Sequence, residues 1–161
     1  MGTRVARVGK VAPDFALPDH NGEIVALSSF LGRTVVVFFY PKDLTSGCTV
    51  QACEFRDLLP SFDDLGAVVI GISPDPMKSH QKFRAKHELP YTLLSDVEHK
   101  VLKRYGVWVE KLFYGRRYMG VERTTVIMGP DGVITHLWRK VPHEGNAAMV
   151  EQVLRESLAT R

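Results

Sequence analysis

Cys48 and Cys53 are the chain's only thiols, and they stand together in the segment Pro41-Lys-Asp-Leu-Thr-Ser-Gly-Cys-Thr-Val-Gln-Ala-Cys53. A thiol attacks as its thiolate, and the first turn of a helix favours that form with free backbone N–H groups and a partial positive charge. A β-forming run precedes the segment and a helical pattern follows it. Cys48 is therefore expected in the first helical turn, beyond the carboxyl end of a central strand, where open α/β sheets place their sites. Gly47 lets the backbone approach a substrate closely, Pro41 fixes the chain as it leaves the strand, and Thr45 carries a hydroxyl that both donates and accepts. A small diprotic oxidant such as hydrogen peroxide needs both abilities around it. Singly, Cys48 would read as a buried structural thiol, Thr45 as a helix cap and Pro41 as a strand terminator. Together, at this place, they read as a reactive-thiol site.

Three other chemistries fit less well. Disulfide exchange of the thioredoxin type uses C-x-x-C, whereas the spacing here is C-x-x-x-x-C. The six histidines, at 20, 80, 87, 99, 136 and 143, are scattered without a metal-ligand spacing, so no metal is expected. The basic and aromatic run Lys111-Leu-Phe-Tyr-Gly-Arg-Arg-Tyr118 would suit a binding module, but such runs are more often a solvated face.

The elements that must position the thiols follow from hydrophobic periodicity. Thr34-Val-Val-Val-Phe-Phe-Tyr40 and Ala67-Val-Val-Ile-Gly-Ile-Ser73 are continuous apolar runs of the kind buried on both faces of a sheet. Between them, 48–65 carries Cys53, Leu58, Leu59, Phe62 and Leu65 at roughly helical spacing, with Pro60 expected to kink or interrupt it. This is a βαβ unit, so the two strands should be parallel. A second helix is expected over 76–88 with Met77, Phe83 and His87 inward, a short strand over 92–95 and a third helix over 98–105. Strands 124–128 and 133–139 join through Gly129-Pro-Asp-Gly132 as an antiparallel hairpin. An amphipathic helix over 146–158 closes the chain, with Met149, Val150, Val153, Leu154 and Leu158 on one face. Phe15-Ala-Leu17 and Ile24-Val-Ala-Leu27 flank Asn21-Gly22 as an accessory N-terminal hairpin. The order implies an α/β, thioredoxin-like fold, a central mixed sheet with helices on both faces and an N-terminal β-hairpin extension.

With 161 residues and 45% hydrophobic content, one domain over 1–161 is expected. The net charge of +3 comes from 21 basic and 18 acidic residues spread along the chain, which gives no reason to expect nucleic acid. Residues 1–10 carry Arg4, Arg7 and Lys10 without an apolar run, so neither a secretory signal nor a membrane span is expected, and the expected location is the cytosol.

Residues 39–57 resemble the active-site segment of the peroxiredoxin Q and bacterioferritin-comigratory-protein group of peroxiredoxins, whose P-x-x-x-T-x-x-C signature is met by Pro41, Thr45 and Cys48. Similarity extends over about 8–158, through Ala12-Pro-Asp-Phe15, Gly71-Ile-Ser73, Leu89-Pro-Tyr-Thr-Leu-Leu-Ser-Asp96, Tyr105-Gly-Val-Trp108 and Val121-Glu-Arg-Thr-Thr-Val126. The resemblance implies a thiol-dependent peroxidase that reduces hydrogen peroxide and organic hydroperoxides without a cofactor. It makes Cys48 the peroxidatic cysteine, has Thr45 orient the peroxide, and has Arg123 stabilise the thiolate and the polarised peroxide. It also implies that 111–118 is a loop flanking the active site, that thioredoxin or a similar thiol donor is the reductant, and that the chain is a monomer. Two positions depart from the group: Ser46 stands where many members carry Pro, and Gln51 where many carry Glu. Gln51 can still hydrogen-bond to Arg123 but brings no charge.

The resemblance makes Cys53 the resolving cysteine, which would condense with the sulfenic acid of Cys48. Residues five apart on an intact helix have Cα atoms roughly 8 to 9 Å apart and point about 140° away from each other. A disulfide tolerates about 7 Å at most. Either the first turns of the helix unwind in each cycle, or Cys53 is a core residue and another thiol resolves Cys48. The redox role is the preferred one, because the chain's only two cysteines share one helix.

Overall fold

Asn21-Gly22 reverses the chain early, with Gly22 at φ +83°, and pairs β1 (Ala16–Pro18) with β2 (Ile24–Ala26) antiparallel, Leu17 opposite Val25. The computed structural model describes residues 6–159. One 3₁₀ turn leads into β3 (Thr34–Phe39), followed by α1 (Ser46–Asp64), β4 (Ala67–Ser73), α2 (Met77–His87), β5 (Thr92–Ser95) and α3 (Lys100–Arg104). The chain continues as β6 (Trp108–Phe113), β7 (Arg116–Val121), β8 (Thr124–Met128), β9 (Ile134–Arg139) and α4 (Asn146–Ala159). The central sheet runs β5-β4-β3-β8-β9. Its β3–β4 and β4–β5 pairs are parallel, and β3–β8 and β8–β9 are antiparallel, so the sheet is mixed as expected.

Alternation along β3 divides the core into two layers. Val36, Phe38 and Tyr40 pack with Phe55 and Phe62 of α1, Phe83 of α2 and Val150 and Leu154 of α4. Val35, Val37 and Phe39 face the other way, onto Phe15, Leu102 of α3 and Tyr105. β3 is thus covered on both sides, and the loop that leaves its carboxyl end starts from a strand anchored in both layers of the core.

The N-terminal segment also touches the main sheet, through single bridges from Val11 to Val133 and from Asp19 to Leu94 of β5.

Several expectations need correction. α1 runs through Pro60 without interruption. A helical proline costs about 3 kcal/mol, but Phe55 and Phe62 on either side are fully buried, and each contributes roughly 1.5–3 kcal/mol. The buried stripe of α1 is Cys48, Gln51, Ala52, Phe55 and Phe62, while Cys53, Leu58, Leu59 and Leu65 are half-buried. In α2 the inward residues are His80 and Phe83. Met77 is exposed, and His87 lies edge-on to the Phe83 ring. α3 starts at Lys100 because His99 sits at φ +64°, outside the helical region. In α4 Met149 is exposed and the buried set is Asn146, Ala147, Val150 and Leu154.

The largest departure is at 108–121. The run expected to be a flanking loop belongs to an antiparallel hairpin, β6–β7, that turns at Tyr114-Gly115. Both turn residues have positive φ, 51° and 76°, the geometry that matches strand twist in a two-residue turn. Leu112, Phe113 and Tyr114 are exposed, so no inward-outward alternation marks these strands.

Gly71 lies in the middle of β4, and a Cβ there would come within 2.8 Å of Leu93 Cδ2 and 2.9 Å of Phe38 Cζ. Gly71→Ala is expected to lower stability by about 1–3 kcal/mol through overpacking, read as a lower urea midpoint with an unchanged slope. An unmoved midpoint would show that the β3–β5 layer yields without cost.

Candidate active site

The loop between β3 and α1 brings Cys48 into position. Thr45 is the N-cap of α1 and Cys48 the third helical residue, so the sulfur belongs to the first turn, where backbone N–H groups lack helical partners. Cys48 is 2% exposed and is a free thiol. Thr45 accepts the Thr49 N–H through its carbonyl at 2.9 Å, whereas its hydroxyl donates to Lys42 O at 2.8 Å and does not cap the helix. Pro41 is half-buried where the chain leaves β3. Gly47 lies under His143, whose Nδ1 would be 3.0 Å from a Cβ at that position.

Arg123, between β7 and β8, reaches the same place from the neighbouring strand. Its Nη2 donates to Cys48 Sγ at 3.3 Å, and its Nη1 donates to Gln51 Oε1. Gln51 is fully buried, and its Nε2 donates to Asn146 Oδ1 at 2.9 Å. The Arg123 carbonyl accepts the Val141 N–H at 3.0 Å, which fixes the backbone from which the guanidinium extends. The structure therefore brings Cys48, Gln51 and Arg123 together. Cys53 stands a turn and a half further along the unbroken α1, half-buried and free, and is not at disulfide distance from Cys48.

A second set of residues, missed from the sequence, holds the loop. Leu44 adopts φ +65°, a left-handed conformation that a branched side chain disfavours. Its neighbour Asp43 is the anchor. Asp43 Oδ1 accepts from Tyr40 OH at 2.5 Å and Asp43 Oδ2 from Ser79 Oγ at 2.8 Å, while the Asp43 N–H donates to Asp75 Oδ2 at 2.8 Å. His80 Nδ1 lies 2.7 Å from Asp43 Oδ2, both side chains fully buried, and His80 Nε2 donates to Leu94 O at 2.9 Å. Burial, with the charge of Asp43 close by, pushes the Asp75 carboxyl above the usual carboxylate range. Only the placement of His80 one turn before Phe83 on a helix hinted at an inward role.

Next to Arg123 lies an open cavity of about 430 Å³ whose lining includes Lys111, Tyr118, Arg123, Lys140 and Val141. Burial, then repulsion from Arg123, holds the Lys111 ammonium below its ordinary value. The β6–β7 hairpin thus forms one wall beside the guanidinium. Among the described residues no group of three or more His, Cys, Asp or Glu could hold a metal ion, and no helix is long and apolar enough to cross a membrane.

Both the sequence and the fold that carry this site recur in known proteins. Residues 8–137 match the AhpC/TSA family. The chain is 45% identical over 149 residues to the peroxiredoxin Bcp of Bacillus subtilis, covering 92% of this chain and 95% of that protein. It is likewise 45% identical over 132 residues to peroxiredoxin Bcp of Escherichia coli K12, covering 82% and 85%. Among solved structures, a cysteine-to-serine mutant of Xanthomonas campestris peroxiredoxin Q superposes with a TM-score of 0.87 at 35% identity, covering 96% of this chain and 99% of that one. A Xanthomonas campestris bacterioferritin comigratory protein, studied for its alkyl peroxide reduction activity, superposes with a TM-score of 0.85 at 36% identity, covering 89% and 91%. Matched along most of its length in sequence and in fold, the chain belongs to the AhpC/TSA family and is a peroxiredoxin of the Bcp and peroxiredoxin Q branch, an enzyme that reduces peroxides.

Proposed function

We propose that Cys48 is the peroxidatic cysteine of a single-domain enzyme spanning residues 1–161, acting on hydrogen peroxide and organic hydroperoxides. The observation that carries this is the 3.3 Å contact between Arg123 Nη2 and the buried Cys48 sulfur in the first turn of α1. A cation and the free N–H groups of a helix start both favour negative charge on sulfur. The thiolate attacks one peroxide oxygen, the O–O bond breaks, and Cys48 becomes a sulfenic acid. The departing oxygen takes a proton and leaves as water or an alcohol. Arg123 holds the negative charge as it moves from sulfur to the leaving oxygen. Thr45, whose hydroxyl proton goes to Lys42 O, offers its oxygen as an acceptor for the peroxide proton, and Pro41 and Gly47 shape the floor on which the peroxide sits.

Cys53 then attacks the sulfenic sulfur, water leaves, and an intramolecular Cys48–Cys53 disulfide forms. Both cysteines lie on one continuous helix, so the bridge requires the turns between them to open. Opening gives up the Gln51 bonds to Arg123 and Asn146. Thioredoxin or a similar dithiol donor, working in the cytosol, returns two electrons and restores both thiols in a monomeric enzyme.

Cys48→Ser is expected to abolish peroxide consumption, and Arg123→Ala to slow the first turnover by about 10²-fold. Substantial turnover in Cys48→Ser would move the nucleophile elsewhere. One equivalent of peroxide is expected to remove two hydrogens from the wild-type mass, map a bridge to Cys48 and Cys53, and quicken amide exchange across residues 45–57. Cys53→Ser is expected to consume the first equivalent, stall as sulfenic acid and over-oxidise more readily. An intermolecular bridge in oxidised wild type, or a stable sulfenic acid with unchanged exchange, would leave Cys53 structural and assign resolution to an external thiol.

A further inference from the structure

We propose that Asn146 is a positioning residue for the peroxidase reaction: it fixes the Gln51 carboxamide with its oxygen toward Arg123. The inference rests on the reading that Arg123 serves Cys48.

A carboxamide has an acceptor end and a donor end, whereas a guanidinium only donates. Gln51 turned the wrong way would set its NH₂ against Arg123, donor facing donor. The structure shows a one-way chain of bonds that prevents this. Arg123 Nη1 donates to Gln51 Oε1, and Gln51 Nε2 donates to Asn146 Oδ1 at 2.9 Å. Thr125 Oγ1 donates to the same oxygen at 2.8 Å. Two donors converge on Asn146 Oδ1, so the asparagine is oriented in turn. Its Nδ2 is buried and has no partner among the described residues. Turning Asn146 over would set that NH₂ against the Gln51 NH₂, donor facing donor, even though the Thr125 hydroxyl could turn to accept, so the bond from Gln51 decides which end of the asparagine amide points inward.

Gln51 and Thr125 are fully buried and Asn146 is 2% exposed, so bulk water does not compete for these bonds. The neighbouring backbone is tied down as well, since the Gly145 N–H donates to Glu54 Oε1 on α1 at 2.8 Å. The start of α4 is thereby fastened to the helix that carries Cys48.

The test follows from the difference between an amide and a carboxylate. Glutamate at position 51 presents an oxygen to Arg123 whichever way it turns, so an orienting partner becomes unnecessary. Single-turnover oxidation of Cys48 by hydrogen peroxide would be timed in Asn146→Ala made in wild type and in a Gln51→Glu background. The expected loss is about 3- to 10-fold in the first and less than about two-fold in the second, a coupling that a purely structural role does not produce. Asn146→Asp, which keeps an acceptor for Gln51 Nε2, is expected to recover most of the loss. Should Asn146→Ala fail to fold, the near-isosteric Asn146→Leu carries the same comparison. An equal loss in both backgrounds, or no loss in wild type, overturns the role of Asn146. Arg123→Ala, measured alongside, separates the two levels: if it leaves the rate unchanged, the underlying assignment of Arg123 falls and this inference with it.

Discussion

A single guanidinium ties the Cys48 sulfur to the neighbouring strand. Arg123 touches Cys48 with one nitrogen and Gln51 with another, and its backbone is held by Val141. Through these three contacts the first turns of α1 and the segment after β9 meet at one residue, and Gln51 links it onward to Asn146 at the start of α4. A cation half-shielded from solvent acts more strongly on a nearby charge than one in water. Its usefulness to a thiolate depends on being held still, because a mobile arginine would spend its charge on solvent. The central sheet meets that need: β3 launches the cysteine loop, and Arg123 immediately precedes β8, the hydrogen-bonded neighbour of β3.

The cysteine loop is itself under tension. Leu44 stands in a left-handed conformation, a state of about 1–3 kcal/mol that persists only where neighbours over-determine it. Asp43 supplies that determination, gripped by Tyr40, Ser79 and His80 while its own N–H is taken by Asp75. These partners come from the ends of β3 and β4 and from α2. The loop before the helix is therefore held by buried polar bonds to groups from three other places in the fold.

The sequence disclosed the frame well because its signals were local. The two apolar runs became β3 and β4, Gly129-Pro-Asp-Gly132 became the turn between β8 and β9, and Cys48 fell in the first turn of α1. Arg123 entered by family resemblance, since nothing local in Glu122-Arg123-Thr124 announces a partner 75 residues away. The hairpin β6–β7 was missed because its side chains are mostly exposed and leave no periodic trace. The stripe on α1 was misplaced for a related reason: Cys53 was counted into it, while the true inward face includes Gln51, which a hydrophobic pattern does not count. His80 and Asn146 were passed over because a buried polar residue is recognised only by the groups that satisfy it, and those lie in other elements.

The N-terminal hairpin has a bearing on solubility that is separate from catalysis. β5 is an outer strand of the central sheet, four residues long, with Leu93 and Leu94 at its middle. Outer strands offer unpaired amides and carbonyls to any other chain, and proteins blunt them by shortening or by cover. Here the cover is the bridge from Asp19 to Leu94, next to β1. A chain trimmed past Asp19 would lose this guard together with Phe15 from the core layer beneath β3, so it would both stick to copies of itself and melt more readily.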